Sequence, residues 1–199
     1  MSKIIRLFNW YKYYLNSISL TWGIMAMIIG ILFILILRWM YYKEKIERKS
    51  IIPLWLSAEY YFLTLASTVF SRVKADIYRY NLNPFDMFDK LFNGNIDNRY
   101  EVYLNILLLL PIGFLLSSVC KKPKIVLIGF TMSSTIEVLQ LMSMRGTFEI
   151  GDILMNTLGI ILGIEIYKLL IQIINSPLWT KVKKQFFKFL KIVLLQKKR

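Results

Sequence analysis

The sequence predicts an all-α polytopic membrane bundle of about five transmembrane helices, followed by a basic amphipathic C-terminal helix. Hydrophobic residues make up 56% of the 199 residues. Several uncharged runs approach 20 residues, the length needed to cross roughly 30 Å of hydrocarbon. Runs such as 106–110 and 23–37 are apolar on every side, whereas a helix of a water-soluble bundle carries an apolar stripe.

Taken in order, the spans fall near 20–37, 51–71, 102–119, 125–144 and 153–174. The second carries Glu59, which has no patterned polar neighbours and reads as structural. The fifth carries Glu165 and Lys168, three residues apart and placed to pair with each other. The first span is too long and too deep for a secretory signal and is expected to be retained. The chain thus divides into an amphipathic N-terminal segment 1–19, a transmembrane domain 20–177 and a basic amphipathic helix 178–199. In the last, Val182, Phe186, Phe189 and Val193 recur at helical spacing, with Lys181, Lys184, Lys188 and Lys191 on the opposite side. Such a helix suits an anionic membrane surface. The net charge of +14 is therefore read as topology and anchoring. Membrane lipids are the expected partners, and nucleic acid is not.

Orientation follows from the lysines and arginines. Segments 1–19, 72–101 and 145–152 together carry nine, while 38–50, 121–124 and 176–199 carry sixteen. Positive residues favour the cytoplasm, so the second group is placed inside, with the C-terminus cytoplasmic and the 72–101 loop outside. That loop has turns at Asn83-Pro84 and Asn93-Gly94-Asn95, and its Phe85, Met87, Phe88, Leu91 and Phe92 make it amphipathic.

Exclusions are sharp. The chain has no histidine, so imidazole catalysis and the common zinc sites are ruled out. Cys120 is the only cysteine, which leaves no intrachain disulfide and no soft metal site. No metal or cofactor is expected.

The few polar residues inside the apolar stretch carry the functional signal. Carboxylates and carboxamides are costly in hydrocarbon unless paired or facing a cavity. Ser133, Glu137 and Gln140 stand at i, i+4 and i+7 on one helical face, and so do Asp152, Asn156 and Gly159. At 1.5 Å per residue, Asn105 and Asn156 lie roughly 5 Å, and Glu137 roughly 10 Å, from the outer ends of their spans. The simplest arrangement sets the polar faces of the fourth and fifth spans against each other across the short turn 144–151. Gly159-x-x-x-Gly163 lets a further helix approach closely. Asn105 and Gln140 could serve as interhelical glue alone. Glu137 needs a partner such as Arg145 or Arg79, or must stay protonated.

These residues carry a resemblance. Arg79-x-Asn81-Leu82-x-Pro84-Phe85, Asn105 with Pro111-x-Gly113, Ser133-x-x-x-Glu137-x-x-Gln140 and Asp152-x-x-x-Asn156-Thr157-x-Gly159 resemble the signature of the VanZ family over about 78–170. Glu149 stands where that family usually has aspartate. The resemblance implies a multi-pass bacterial cell-membrane protein that lowers susceptibility to teicoplanin-type glycopeptide antibiotics. On this reading a polar site in the outer leaflet binds an amphiphile, such as a lipid-linked peptidoglycan precursor or the antibiotic. Arg79 and Arg145 would contact anions, Asn81, Asn105 and Asn156 would supply neutral hydrogen bonds, and Pro84, Phe85, Glu137, Gln140 and Asp152 would complete the ligand-binding set. The competing expectation is an intramembrane enzyme acting on a lipid-linked cell-wall precursor, with Glu137 and Asp152 as acid and base. A transporter is a third, weakened by five spans without an inverted repeat.

Overall fold

A computed structural model describes residues 20–177 together with 179, 183 and 185. Residues 1–19 and most of the expected 178–199 helix lie outside the described residues. Helix α1 runs Leu20–Tyr42, and a short 3-10 turn, Arg48–Ser50, leads into α2, Ile51–Leu65. Helix α2 continues as a π-helical turn, Ala66–Phe70. After strand β1, Arg79–Asn81, come α3, Asp86–Phe92, α4, Ile96–Leu116, and α5, Lys122–Ser143. Strand β2, Thr147–Glu149, leads directly into α6, Ile150–Ile174.

Among the described residues, α1, α4, α5 and α6 are each long and apolar enough to cross a membrane. The expected second span is instead a 15-residue α-helix extended by a five-residue π turn. Three hydroxyls cluster at the change of winding. Thr64 Oγ1 donates to the Tyr60 carbonyl at 2.9 Å, and both Ser67 and Thr68 donate to the Thr64 carbonyl. Hydroxyls bonding back onto the preceding turn compete with the regular backbone ladder and bend a helix.

Hydropathy also sets the starts of three helices too far in. Helix α4 starts at Ile96, six residues before the apolar run, because the Asn95 side chain accepts from the Asn98 N–H at 2.9 Å and caps it. Helix α5 opens on Pro123 in its first turn, where a missing N–H costs nothing. It closes on Met144 in the left-handed conformation, φ 55°. There the Arg145 N–H reaches the Gln140 carbonyl and the Met144 N–H the Leu141 carbonyl, satisfying two carbonyls at the helix end.

The turn into α6 forms one element that periodicity did not predict. Strands β1 and β2 pair in parallel, with Arg79 opposite Thr147, Tyr80 opposite Phe148 and Asn81 opposite Glu149. The pairing fastens the 72–101 loop to the start of α6.

The contacts divide the chain into two units, one reaching to Ile164 and the other beginning at Glu165. In the first, Val69, Leu109, Ile112, Ile136, Ile160 and Ile164 form the buried core. Helices α4 and α6 meet backbone to backbone. A side chain at Gly159 would strike the Ile106 carbonyl, one at Gly163 the Leu110 carbonyl, and one at Gly113 the Ile160 carbonyl. In lipid such close packing replaces the hydrophobic effect as the force holding helices together. The Tyr61 hydroxyl donates to the Met132 carbonyl at 2.9 Å, tying α2 to α5. Trp22 stacks on Phe70 at 4.9 Å, joining the start of α1 to the end of α2. Glu59 packs against Gly30 of α1. In the second unit, Lys168 and Glu165 pair at 3.2 Å, and Leu169 and Ile173 are more than half exposed.

Candidate functional site

The end of α2, the first half of α4, the end of α5 and the start of α6 all lie at one end of the helices. Between them is a cavity of about 430 Å³. Its apolar wall comes from Leu63, Leu104, Leu107, Leu108 and Ile136, and its polar wall from side chains of all four helices and of β2.

The polar faces of α5 and α6 meet here. Asn156 Nδ2 donates to Ser133 Oγ at 3.0 Å, with both side chains all but fully buried. Glu137 is 2% exposed, and its Oε2 accepts from the Glu149 backbone N–H at 2.9 Å. An acid at a helix N-terminus is favoured by the partial positive charge there, and Glu137 occupies that position for α6. Its partner is thus a backbone amide and neither Arg145 nor Arg79. Gln140 Nε2 donates to the Thr68 carbonyl at 3.2 Å, satisfying backbone in the π turn. Gly146 leaves room for the Gln140 amide, since a Cβ there would come within 2.8 Å of its oxygen.

Two polar atoms in this wall are buried and make no hydrogen bond: Asn105 Nδ2 and Asn156 Oδ1. One is a donor and the other an acceptor. Buried polar atoms almost always have partners, and this pair is left open on one cavity.

At the mouth stands an ion cluster. Lys90 of α3, 19% exposed, contacts Glu149 at 2.6 Å, Glu101 at 3.4 Å and Asp86 at 3.7 Å. Burial works against its charge, but the Glu149 hydrogen bond and the Glu101, Glu149 and Asp152 carboxylates outweigh burial. Lys90 therefore titrates above the ordinary lysine range. Among the described residues no group of three His, Cys, Asp or Glu is placed to hold a metal ion.

Of the residues singled out from sequence, the structure brings Asn105, Glu137, Gln140, Asp152 and Asn156 together around the cavity. Arg79, Asn81, Pro84, Phe85 and Arg145 are not among its lining residues. Arg79 is exposed on β1, and Phe85 is 68% exposed. Asn81 Oδ1 accepts from the Asn83 N–H and Asn83 Oδ1 from the Phe85 N–H, so the Asn-Leu-Asn-Pro-Phe motif builds two successive side-chain turns that start α3. Arg145 Nη1 donates to the Phe70 carbonyl and closes the end of the π turn. Its guanidinium is spent on backbone. The cation in the cavity wall is Arg72.

Sequence reasoning also missed Glu101, Glu149, Thr64 and Thr68 as lining residues. The hydroxyls had a signal, because Thr64, Thr68 and Ser71 stand at i, i+4 and i+7 on one face of the second span. Glu101 and Arg72 had none, since both sit in a charged loop until the helices are assembled.

Fold and site together define a polytopic α-helical membrane protein with a polar cavity at one end of its bundle. The VanZ/LLP1 family model matches residues 25–172, and the chain belongs to that family. No curated protein and no solved structure matches it.

Proposed function

We propose that this chain is a multi-pass protein of the bacterial plasma membrane, with its C-terminus in the cytoplasm, that lowers susceptibility to teicoplanin-type glycopeptides. It does so by holding the head of an amphiphile in the cavity, either a lipid-linked wall precursor or the lipidated antibiotic. The observation that carries this reading is the open donor–acceptor pair, Asn105 Nδ2 and Asn156 Oδ1, on the wall of a cavity whose other side is apolar. A site built that way suits a ligand with a polar head and a hydrocarbon body. Family membership supports it, as does the sparser positive charge of the segments at the cavity end. The second reading, an intramembrane enzyme, draws support from Glu137 and Asp152 lining the same cavity. There one carboxyl would donate a proton to a lipid-linked substrate and the other accept one.

The test is Glu137→Gln in a glycopeptide-susceptible host expressing the full chain. Glutamine keeps shape and can still accept from the Glu149 N–H. The expected result is loss of teicoplanin protection at normal membrane abundance, with Gly23→Ala, away from the cavity, tolerated as the control. Full protection by Glu137→Gln overturns any role for the carboxylate. Turnover of lipid-linked precursor by the purified protein decides for the enzyme.

A further inference from the structure

The cavity is acidic in a strongly basic chain. Four of the chain's 12 acidic residues line it (Glu101, Glu137, Glu149 and Asp152), against one of its 26 lysines and arginines, Arg72. Buried carboxylates need counter-charge. Lys90 supplies it to Glu149 and Glu101 and acts on Asp152, and Arg72 acts on Asp152 and Glu137, yet four carboxyl groups face the cavity with Arg72 as its one lining cation among the described residues. The second observation is Asn156, which is 1% exposed, lines the cavity and carries an unpartnered Oδ1. An acceptor left open beside four carboxyl groups suits a ligand rich in N–H donors. Among the described residues no three-ligand metal set is placed there, and a cation with several N–H donors would satisfy the carboxyl groups and the Asn156 oxygen together.

We infer that the cavity selects amphiphiles whose head carries a primary ammonium group, held by the carboxylates and by Asn156 Oδ1. A primary ammonium presents three donors and no acceptor, which matches that wall. Asn105 Nδ2, the open donor, takes a neighbouring carbonyl or hydroxyl oxygen of the same head. Leu104, Leu107 and Leu108 face the hydrocarbon part. This inference rests on the proposed reading of the cavity as an amphiphile site and adds the charge of the head.

The experiment uses the full chain purified in a neutral maltoside detergent, with affinity read from ligand-dependent shifts of thermal unfolding. The probes are dodecylamine, dodecanol, dodecyl phosphate and butylamine. Wild type should bind dodecylamine about tenfold or more tighter than dodecyl phosphate, with dodecanol between them. Asp152→Asn and Glu137→Gln should each shrink that ratio at least about threefold. A tail-dependent ammonium preference supports the inference, and equal binding of butylamine overturns the amphiphile reading while keeping ammonium recognition. Equal or tighter binding of dodecyl phosphate by the wild type overturns the inference without need of any variant. So does a preference unchanged in both carboxylate variants. Leu108→Trp, which fills the cavity, separates this failure from failure of the underlying reading. If it blocks every probe and no ammonium preference exists, only the head chemistry is wrong. If no probe is affected by it, the cavity is not the amphiphile site at all.

Discussion

At the scale of single residues, the polar groups of the bundle divide by what their side chains spend themselves on. Gln140 and Arg145 donate to the carbonyls of Thr68 and Phe70, so they stabilise an irregular turn. Asn156 spends only its amine group, on Ser133, and leaves its oxygen to the cavity. That division yields a prediction. Ser133→Ala strands Asn156 Nδ2 in a site 1% exposed, and should cost about 1 kcal/mol in denaturant unfolding of the detergent-solubilised protein. Adding Asn156→Val to it should recover much of that loss, since removing both partners is far cheaper than removing one. Recovery of stability with loss of function would assign the free oxygen to binding.

At the scale of elements, backbone contact between α4 and α6 decides the arrangement. Gly159 and Gly163 stand one turn apart on α6 and receive the carbonyl ridge of α4 at Ile106 and Leu110. Gly159→Leu should push α6 off α4, shift Asn156 away from the cavity wall and sharply lower the yield of folded protein, as read by gel filtration in detergent. Gly23 is the control. Nothing lies within 4 Å of a side chain placed there, so Gly23→Ala should be neutral or stabilise by up to about 1 kcal/mol through helix propensity. Equal yields for the two variants would mean that the α4–α6 contact does not hold the bundle together. The spacing Gly-x-x-x-Gly was visible in the sequence. Its partner helix was not, because a small-residue motif states that something comes close without stating what.

At the scale of the whole molecule, the proposed direction of the chain rests on the distribution of charge. Among the described segments, those at the cavity end, 72–101 and 145–152, carry six basic residues, and the shorter 38–50 and 121–124 carry eight. Single cysteines replacing Asp89 and Lys45, in a Cys120→Ser background, should therefore label differently in intact cells. A membrane-impermeant thiol reagent should reach position 89, on the exposed face of α3, and not position 45. Labelling at 45 alone inverts the topology and turns the cavity toward the cytoplasm. The outward reading of the site then falls with it.

The sequence by itself determined the class of protein, four of the five expected spans and five of the residues on the cavity. Each of these rests on local chemistry: hydropathy over a span length, and polar residues repeated at helical spacing where hydrocarbon makes them expensive. Tertiary structure alone decided which charges belong to the site. Arg79 and Arg145 looked like ligand contacts by their nearness along the chain to the motifs. The parallel pairing of β1 with β2 leaves Arg79 on the surface, and the end of the π turn engages Arg145. Arg72, Glu101 and Glu149 enter the cavity wall through contacts between segments tens of residues apart. A long-range contact of that kind leaves no period in the sequence, because it depends on how four helix ends pack and not on the order of residues within any one of them.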